Sequence, residues 1–513
     1  MLKPVKRSLR QLLGDEFSDR LKEGALFFGE LTDRETECLL EEEVDFLPDS
    51  FVRKNTELLD RVGSKVISEM NSTEAGAATD SFQKATDTKA SPVGGLGVFR
   101  LGEDGRLYLI SKSEHYHAPL GHGFPGYKLL DRASALGIGN ATHNNTRGYI
   151  TRLSERELIR HANGIKKSDE KTLERVLTSR EEKVLNRVIN LQTGSLAAEA
   201  GIKMMLARFY SLDKTFPLPK YEDRIPVFLV MGDYEGGGTA NYHGTTIFAQ
   251  TLRDMWPGLY NKMEKAGIMK VCTVNINDID DLKRKIERYN RPPYKTAGFL
   301  HEIILMNYGA IRLEKDFLRQ AYSLCKEYDT PVMVDEIQSC MWYKGMFLFR
   351  LYELDPDFVI VGKGFPGGRF AGSKIITTAP MDSLNQFGAL VTNGQEELTS
   401  LAYLITMVFA EENEEHMEMI GEYYEKRLNE LAIKYTEHIR SIEGLGLLQG
   451  ITFDDIEKTV RFTKYLQKRC IDISAQTYKA SCPPTALTKL PVISVKETVD
   501  YLIARMEESL KAL

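Results

Sequence analysis

The chain has 513 residues, 27% charged and 42% hydrophobic, which is long enough for about three folding units and too apolar for a disordered protein. Lys and Arg number 67 against 73 Asp and Glu, a net charge of -6, so no general attraction to nucleic acid or to an anionic membrane is expected. No stretch reaches the roughly 20 uninterrupted apolar residues of a spanning helix. The N-terminus carries Lys3, Lys6, Arg7 and Arg10 but no apolar signal core. Cysteines 38, 272, 325, 340, 470 and 482 are scattered without a CxxC pair, which points to reduced thiols in the cytoplasm.

In chain order, residues 1 to about 70 read as polar helices with apolar stripes such as Leu39, Leu40, Val44 and Phe46. Residues 71–92, rich in Ser, Thr, Ala and Asp, read as a flexible linker. Strands are expected over 98–101 and 107–110, about the turn Glu103-Asp104-Gly105, then charged helices over 155–162 and 171–188. The middle alternates apolar runs (227–230, 270–274, 299–305, 332–334, 358–361) with helices (197–210, 281–289, 315–328). That alternation predicts an α/β fold with a mostly parallel sheet covered on both faces. Helices over 398–411 and 415–437, a strand over 444–453 and a last helix over 496–513 complete the chain. We expect an N-terminal extension and linker over 1–92, a small-domain segment over 93–160, a large domain over 161–395 and a C-terminal small-domain segment over 396–513.

Several short patterns carry no chemistry. Gly121, Gly123 and Gly126 satisfy GxGxxG, but no strand runs into them and Pro125 stands where the helix should begin, so a dinucleotide site is not expected. His115, His117 and His122 lack partners at zinc-ligand spacing apart from Glu114, and no metal is expected. The acidic run at Glu411, Glu412, Glu414 and Glu415 reads as a solvated helix face.

Three features ask for one ligand. Thr193-Gly194-Ser195 opens a helix, whose free N–H groups and partial positive charge suit a phosphate, although a plain N-cap would look the same. Asp335 ends an apolar run, where a parallel sheet presents ligand-facing groups, and a carboxylate there needs a partner such as a cationic ring nitrogen. Lys363 follows the run 358–361 between two glycines, and a desolvated amine there becomes nucleophilic toward carbonyls; an exposed loop lysine is the alternative. A phosphate, a protonated ring nitrogen and an aldehyde condensed with a lysine together describe pyridoxal 5'-phosphate (PLP).

The segment 331–368, PVMVDEIQSCMWYKGMFLFRLYELDPDFVIVGKGFPGG, resembles the class III (ω-amino) aminotransferases of PLP fold type I in its DE-x-Q, K-x-F, PD and K-G motifs. QTGSLAAEAGIK (192–203), Asn241-Tyr242-His243-Gly244, His301-Glu302 and Gly121-His122 with Pro125 are similar to further motifs of that family. The resemblance covers about residues 95–510. It implies a large domain with a mostly parallel seven-stranded sheet between helices, plus a smaller α+β domain built from N- and C-terminal segments. It further implies that Lys363 forms the Schiff base and shuttles the proton. Asp335 would pair with the pyridine nitrogen and Gln338 reach the phenolic oxygen. Thr193, Gly194 and Ser195 would hold the phosphate, Tyr242 and Ile337 flank the ring, and His243 and Glu302 line the site. Thr392 would reach the phosphate of a neighbouring subunit, hence a homodimer with shared active sites.

The departures fall on the substrate side. Ser339-Cys340-Met341-Trp342 replaces the family's Gly-Phe-Gly-Arg, Glu302-Ile303-Ile304-Leu305 lacks the usual Pro and Gln, and Thr488, Lys489 and Pro491 stand where an Arg precedes a Pro pair. The region from Lys112 to His117 is also unusual. The reading is a cytoplasmic aminotransferase that moves an amino group from an amine or (ω-)amino acid to a 2-oxo acid, with an uncommon substrate or one whose carboxylate is gripped elsewhere. Another PLP reaction on the same fold (decarboxylase, aminomutase or phospho-lyase) and a non-catalytic descendant stay open on the residues alone.

Overall fold

The run Ile225–Met231 (IPVFLVM) is buried from Pro226 onward, as expected of a strand covered on both faces. A computed structural model, describing residues 2–71, 74, 76–141, 143, 145–233, 239–477 and 481–513, places it in a seven-stranded sheet. Ahead of that sheet, besides a two-residue pair at Lys6–Arg7 and Val44–Asp45, a three-stranded sheet is formed by β1 (Pro92–Leu96), β2 (Phe99–Gly102) and β3 (Leu107–Leu109). The sheet contains β4 (Leu185–Leu191), β5 (Ile225–Met231), β6 (Lys270–Val274), β7 (Tyr294–His301), β8 (Val332–Asp335), β9 (Phe358–Val361) and β10 (Ser373–Thr378). Their order is β4-β10-β9-β8-β7-β5-β6. Only β10 runs against its neighbours, pairing antiparallel with both β9 and β4, so the expected fold class holds.

Two of these strands escape the hydropathy pattern. In β4, Leu185, Val188 and Ile189 fall at helical spacing, so the helix expected over 171–188 ends at Thr178 and the strand follows. In β10 (SKIITT) all six residues are buried although four of them are polar. Ser373 Oγ donates to the Val361 carbonyl at 2.5 Å and Thr377 Oγ1 to that of Asp357 at 3.0 Å, which satisfies their hydroxyls inside the core. Other boundaries shift. The run 299–305 divides into the end of β7 and a two-residue strand at Ile304–Leu305. The run 444–453 becomes a hairpin of β11 (Ile439–Leu445) and β12 (Leu448–Phe453). With β13 (Ser474–Ala475) and β14 (Thr485–Lys489) these form a four-stranded sheet in the order β11-β12-β14-β13.

The first 60 residues form helices that pack into the main core. Ser8 with Gln11 and Thr32 with Glu35 make capping boxes that start two of them. Phe46 meets Phe124 edge-on at 5.8 Å, Phe124 meets Phe409 at 5.3 Å, and Asn55 Oδ1 accepts from the Val98 N–H at 2.9 Å. Within the expected linker, Ser72, Thr73 and Ala75 lie outside the described residues; the stretch 76–89 is exposed and contains the short helix Asp80–Ala85.

Candidate active site

The expected site residues collect at the carboxyl ends of the sheet, where a parallel topology opens a crevice. Asp335 is the last residue of β8 and is buried; Lys363 lies two residues past β9, with φ at +36° in the left-handed region. Asp335 is fixed on both oxygens: Oδ2 lies 2.9 Å from His243 Nδ1, and Oδ1 accepts from the Ile337 N–H at 3.1 Å. The Tyr242-His243 loop follows β5 and is held by Asn241, whose Oδ1 accepts the Met231 N–H at 3.0 Å.

Charge is unevenly matched here. Burial, reinforced by the nearby Asp335 carboxylate, pushes the Glu302 carboxyl well above the ordinary acid range. One oxygen of Glu302 accepts from Gln338 Nε2 at 3.0 Å, while the other is buried without a partner. Burial brings the Lys363 amine down to about 8, against the upward pull of Glu302 and Asp335. An amine poised there changes protonation near neutral pH, as a nucleophile and proton carrier must.

The other end of the site is built from main chain. Thr193 caps the helix α1 (Gly194–Leu206), its Oγ1 accepting from the Leu196 N–H at 3.4 Å. Ser195 Oγ accepts the Thr245 N–H at 3.0 Å, which ties this helix start to the Tyr242–Thr245 loop. Gly244 has φ +111°, and a Cβ there would sit 2.6 Å from Ser195 Cα, so only glycine permits the approach. Ile337 lies against both Gly194 and Gly362, joining the helix start to the lysine loop. The Arg253 guanidinium stands 4.8 Å over the Tyr242 ring. Thr392 is exposed, and its carbonyl accepts from Gln192 Nε2 at 2.6 Å, at the outer rim beside Thr193.

The geometry thus draws Thr193, Gly194, Ser195, Ile337, Asp335, His243, Gln338, Glu302 and Lys363 into one network, with Tyr242 on its loop and Thr392 at its edge. His243 is turned toward Asp335, and its buried Nε2 has no partner. The Gly121–Gly126 string forms a bridge to Gly97 and a single 3-10 turn rather than a strand running into a helix, and His122 pairs with Glu114 at 2.8 Å.

Sequence reading undervalued three residues. Tyr116, Trp342 and Lys489 are all buried beside the lysine: the Lys489 ammonium lies 3.5 Å from the Trp342 ring centre and 4.9 Å from that of Tyr116, with Lys363 5.3 Å from Tyr116. The signal was present, since these positions coincide with the departures from the family pattern. Their mutual proximity was not readable from spacing.

The residues fit PLP. A fixed carboxylate ends β8, an amine of lowered basicity follows the adjacent β9, a helix start is approached by a glycine loop, and an unpartnered Glu302 oxygen waits between them. The profile of the family described as aminotransferase class-III matches residues 123–480. The acetylornithine aminotransferase of Clostridium acetobutylicum is 27% identical over 335 residues, 64% of this chain and 77% of that protein. The putrescine aminotransferase of Pectobacterium atrosepticum is 25% identical over 393 residues, 74% of this chain and 79% of that one. The solved adenosylmethionine-8-amino-7-oxononanoate aminotransferase of Methanocaldococcus jannaschii superposes with a TM-score of 0.65 at 19% identity, covering 90% of this chain and 99% of that one.

Proposed function

Since the chain belongs to the class-III aminotransferase family, whose members work with PLP, we propose that Lys363 and Asp335 carry its transamination of an amine or amino acid with a 2-oxo acid. When bound, PLP supplies an aldehyde that takes up an amino group and a ring that draws negative charge away from the carbon bearing it. Lys363 is the amine to hold that aldehyde, and once released its Nζ removes and returns the proton at the donor's amine-bearing carbon. Typical general acid/base catalysis of this kind contributes about 10²–10⁴-fold. Asp335, held rigidly by His243, keeps a proton on the ring nitrogen. Gln338 and Glu302 address the ring's phenolic oxygen and the substrate side, and the start of α1 donates its N–H groups to the phosphate.

The observation that carries this reading is the convergence of Lys363 and a fixed Asp335 at the ends of adjacent strands. Replacing Lys363 by Ala should abolish the visible absorbance that borohydride bleaches in the cofactor-loaded protein; retained absorbance would remove Lys363 from this role. Addition of donor alone should convert the cofactor to its amine form, which a decarboxylase or phospho-lyase would not accumulate.

The same reading includes a homodimer in which Thr392 reaches the partner's phosphate site, supported by the exposure of Thr392 at the rim. A cytoplasmic location agrees with six free cysteines, and no helix among the described residues is long and apolar enough to cross a membrane. Residues 161–395 would form the cofactor-binding domain, with 93–160 and 396–513 forming the smaller one.

A further inference from the structure

Lys363 stands at φ +36°, in the left-handed region that residues with a side chain avoid, although a glycine lies on either side of it. Strain of this kind persists only where the surroundings impose it. Both glycines are pressed by neighbours. A Cβ at Gly362 would lie 2.9 Å from Ile337 Cδ1, 3.1 Å from Ser373 Oγ and 3.2 Å from the Gly372 carbonyl oxygen. A Cβ at Gly364 would lie 2.7 Å from Trp342 Cζ3 and 3.1 Å from both the Cys340 carbonyl oxygen and Met341 Cβ. Cys340 also crosses to the other glycine, its Sγ donating to the Gly362 carbonyl at 3.5 Å. The main chain before and after Lys363 is thus held by one turn, residues 340–342.

That turn is itself firmly built. The Cys340 N–H donates to the Glu336 carbonyl at 2.8 Å, and Ser339 Oγ donates to the buried Glu336 carboxyl at 3.1 Å. Met341, at φ +80°, is kept there by its N–H bond to the Met346 carbonyl at 2.7 Å. Trp342 Nε1 donates to the Leu490 carbonyl at 3.0 Å, and the Lys489 ammonium lies 3.5 Å from the ring centre, so a segment 148 positions away fixes the indole. Cys340, Met341 and Trp342 are each at most 1% exposed, as a rigid support requires. They are also three of the four residues that depart from the family pattern after the DE-x-Q motif.

Resting on the aminotransferase reading above, we infer that Cys340 and Trp342 are positioning residues for Lys363: together they hold its backbone in the left-handed conformation and so fix where Nζ meets the PLP aldehyde. In that step Nζ, as the neutral amine, adds to the aldehyde carbon, and the aldehyde oxygen leaves as water with both amine protons. The contribution of Cys340 and Trp342 is geometric. An amine held in place reacts in an effectively unimolecular step, and a displacement of about 1 Å can cost about 100-fold. Docking of the cofactor rests instead on the start of α1 and on Asp335, so it should survive replacement of either residue.

The test strips the full chain of PLP, adds PLP back over a range of concentrations and follows the growth of the visible band that borohydride bleaches. The concentration giving half the maximal rate reports docking, and the plateau reports capture by Lys363. In Trp342→Phe, whose smaller ring no longer fills the space beside Gly364, the plateau should fall about 10- to 100-fold. In Cys340→Ala, which loses the bond to Gly362, it should fall about 2- to 10-fold. Cys340→Ser should recover most of that loss, because its hydroxyl also donates. The half-saturating concentration should stay within about twofold throughout. A plateau unchanged in Trp342→Phe or in Cys340→Ala, a Cys340→Ser plateau no better than that of Cys340→Ala, or a loss that appears in the half-saturating concentration instead overturns the inference and leaves the aminotransferase reading intact. If Trp342→Phe does not fold, the Cys340→Ala and Cys340→Ser pair decides. Failure of the wild type to form the band would defeat the underlying reading and this inference with it.

Discussion

Gly244 links the loop carrying Tyr242 and His243 to the start of α1, and its replacement by Ala tests whether that junction shapes the cofactor cradle. A residue with a side chain at φ +111° carries strain of about 1–3 kcal/mol. The added Cβ would also lie 2.6 Å from Ser195 Cα and 2.6 Å from its Oγ. Because the obstacle includes main chain, the helix start must yield, at an overpacking cost of about 1–3 kcal/mol more. A total of about 2–6 kcal/mol is expected in urea unfolding, with PLP affinity, read by absorbance titration, falling as Ser195 moves. Gly267→Ala separates the two contributions, since Gly267 has φ +70° but its nearest neighbour would be 3.5 Å away; it should lose only about 1–2 kcal/mol and bind PLP normally. If Gly244→Ala is no less stable than Gly267→Ala and retains cofactor affinity, the loop does not set the position of Ser195.

The network around Asp335 and Glu336 gives two further tests. His243→Phe removes one of the two hydrogen bonds that fix Asp335; a bond to a charged group is worth about 1.5–3 kcal/mol. Turnover should fall about 10- to 100-fold, with a shifted cofactor absorbance maximum, and unchanged absorbance with unchanged rate would show that Asp335 needs no such support. Glu336 is buried and accepts from the Leu348 and Phe349 N–H groups and Ser339 Oγ, yet burial still pushes its carboxyl up to about 7. The folded protein therefore binds more protons there than the unfolded chain between about pH 4.5 and 7, so this group's contribution to stability is greatest below that window and is lost as pH rises through it. Glu336→Gln should flatten the dependence of the urea midpoint on pH across that window, and an identical slope in both proteins would assign it to other groups.

How much of this was legible in the sequence depends on whether a feature is local. Asp335 and Lys363 each end a short apolar run, so their placement followed from strand direction alone. Strand β10 did not announce itself because most of its residues are Ser, Lys and Thr, whose side chains are satisfied by distant partners: Ser373 and Thr377 by the Val361 and Asp357 carbonyls and Lys374 by Asn190 Oδ1. β4 imitated a helix through the spacing of Leu185, Val188 and Ile189. His243 was placed near the cofactor from its motif, but its bond to Asp335 spans 92 residues. Trp342 and Lys489, 147 positions apart in the chain, each looked like an isolated departure. Only the fold shows that one supports the charge of the other.

The packing of the N-terminal helices has a practical side. The family profile begins at residue 123, which invites trimming everything before it. Yet Leu9, Leu40 and Phe46 are completely enclosed, and the Asn55 amide fills the space beside Gly97, just ahead of β2. Cutting at the homology border would strip one wall from the hydrophobic interior and leave Phe124 and Leu130 facing water, so a shortened version is expected to precipitate on expression rather than yield a minimal enzyme.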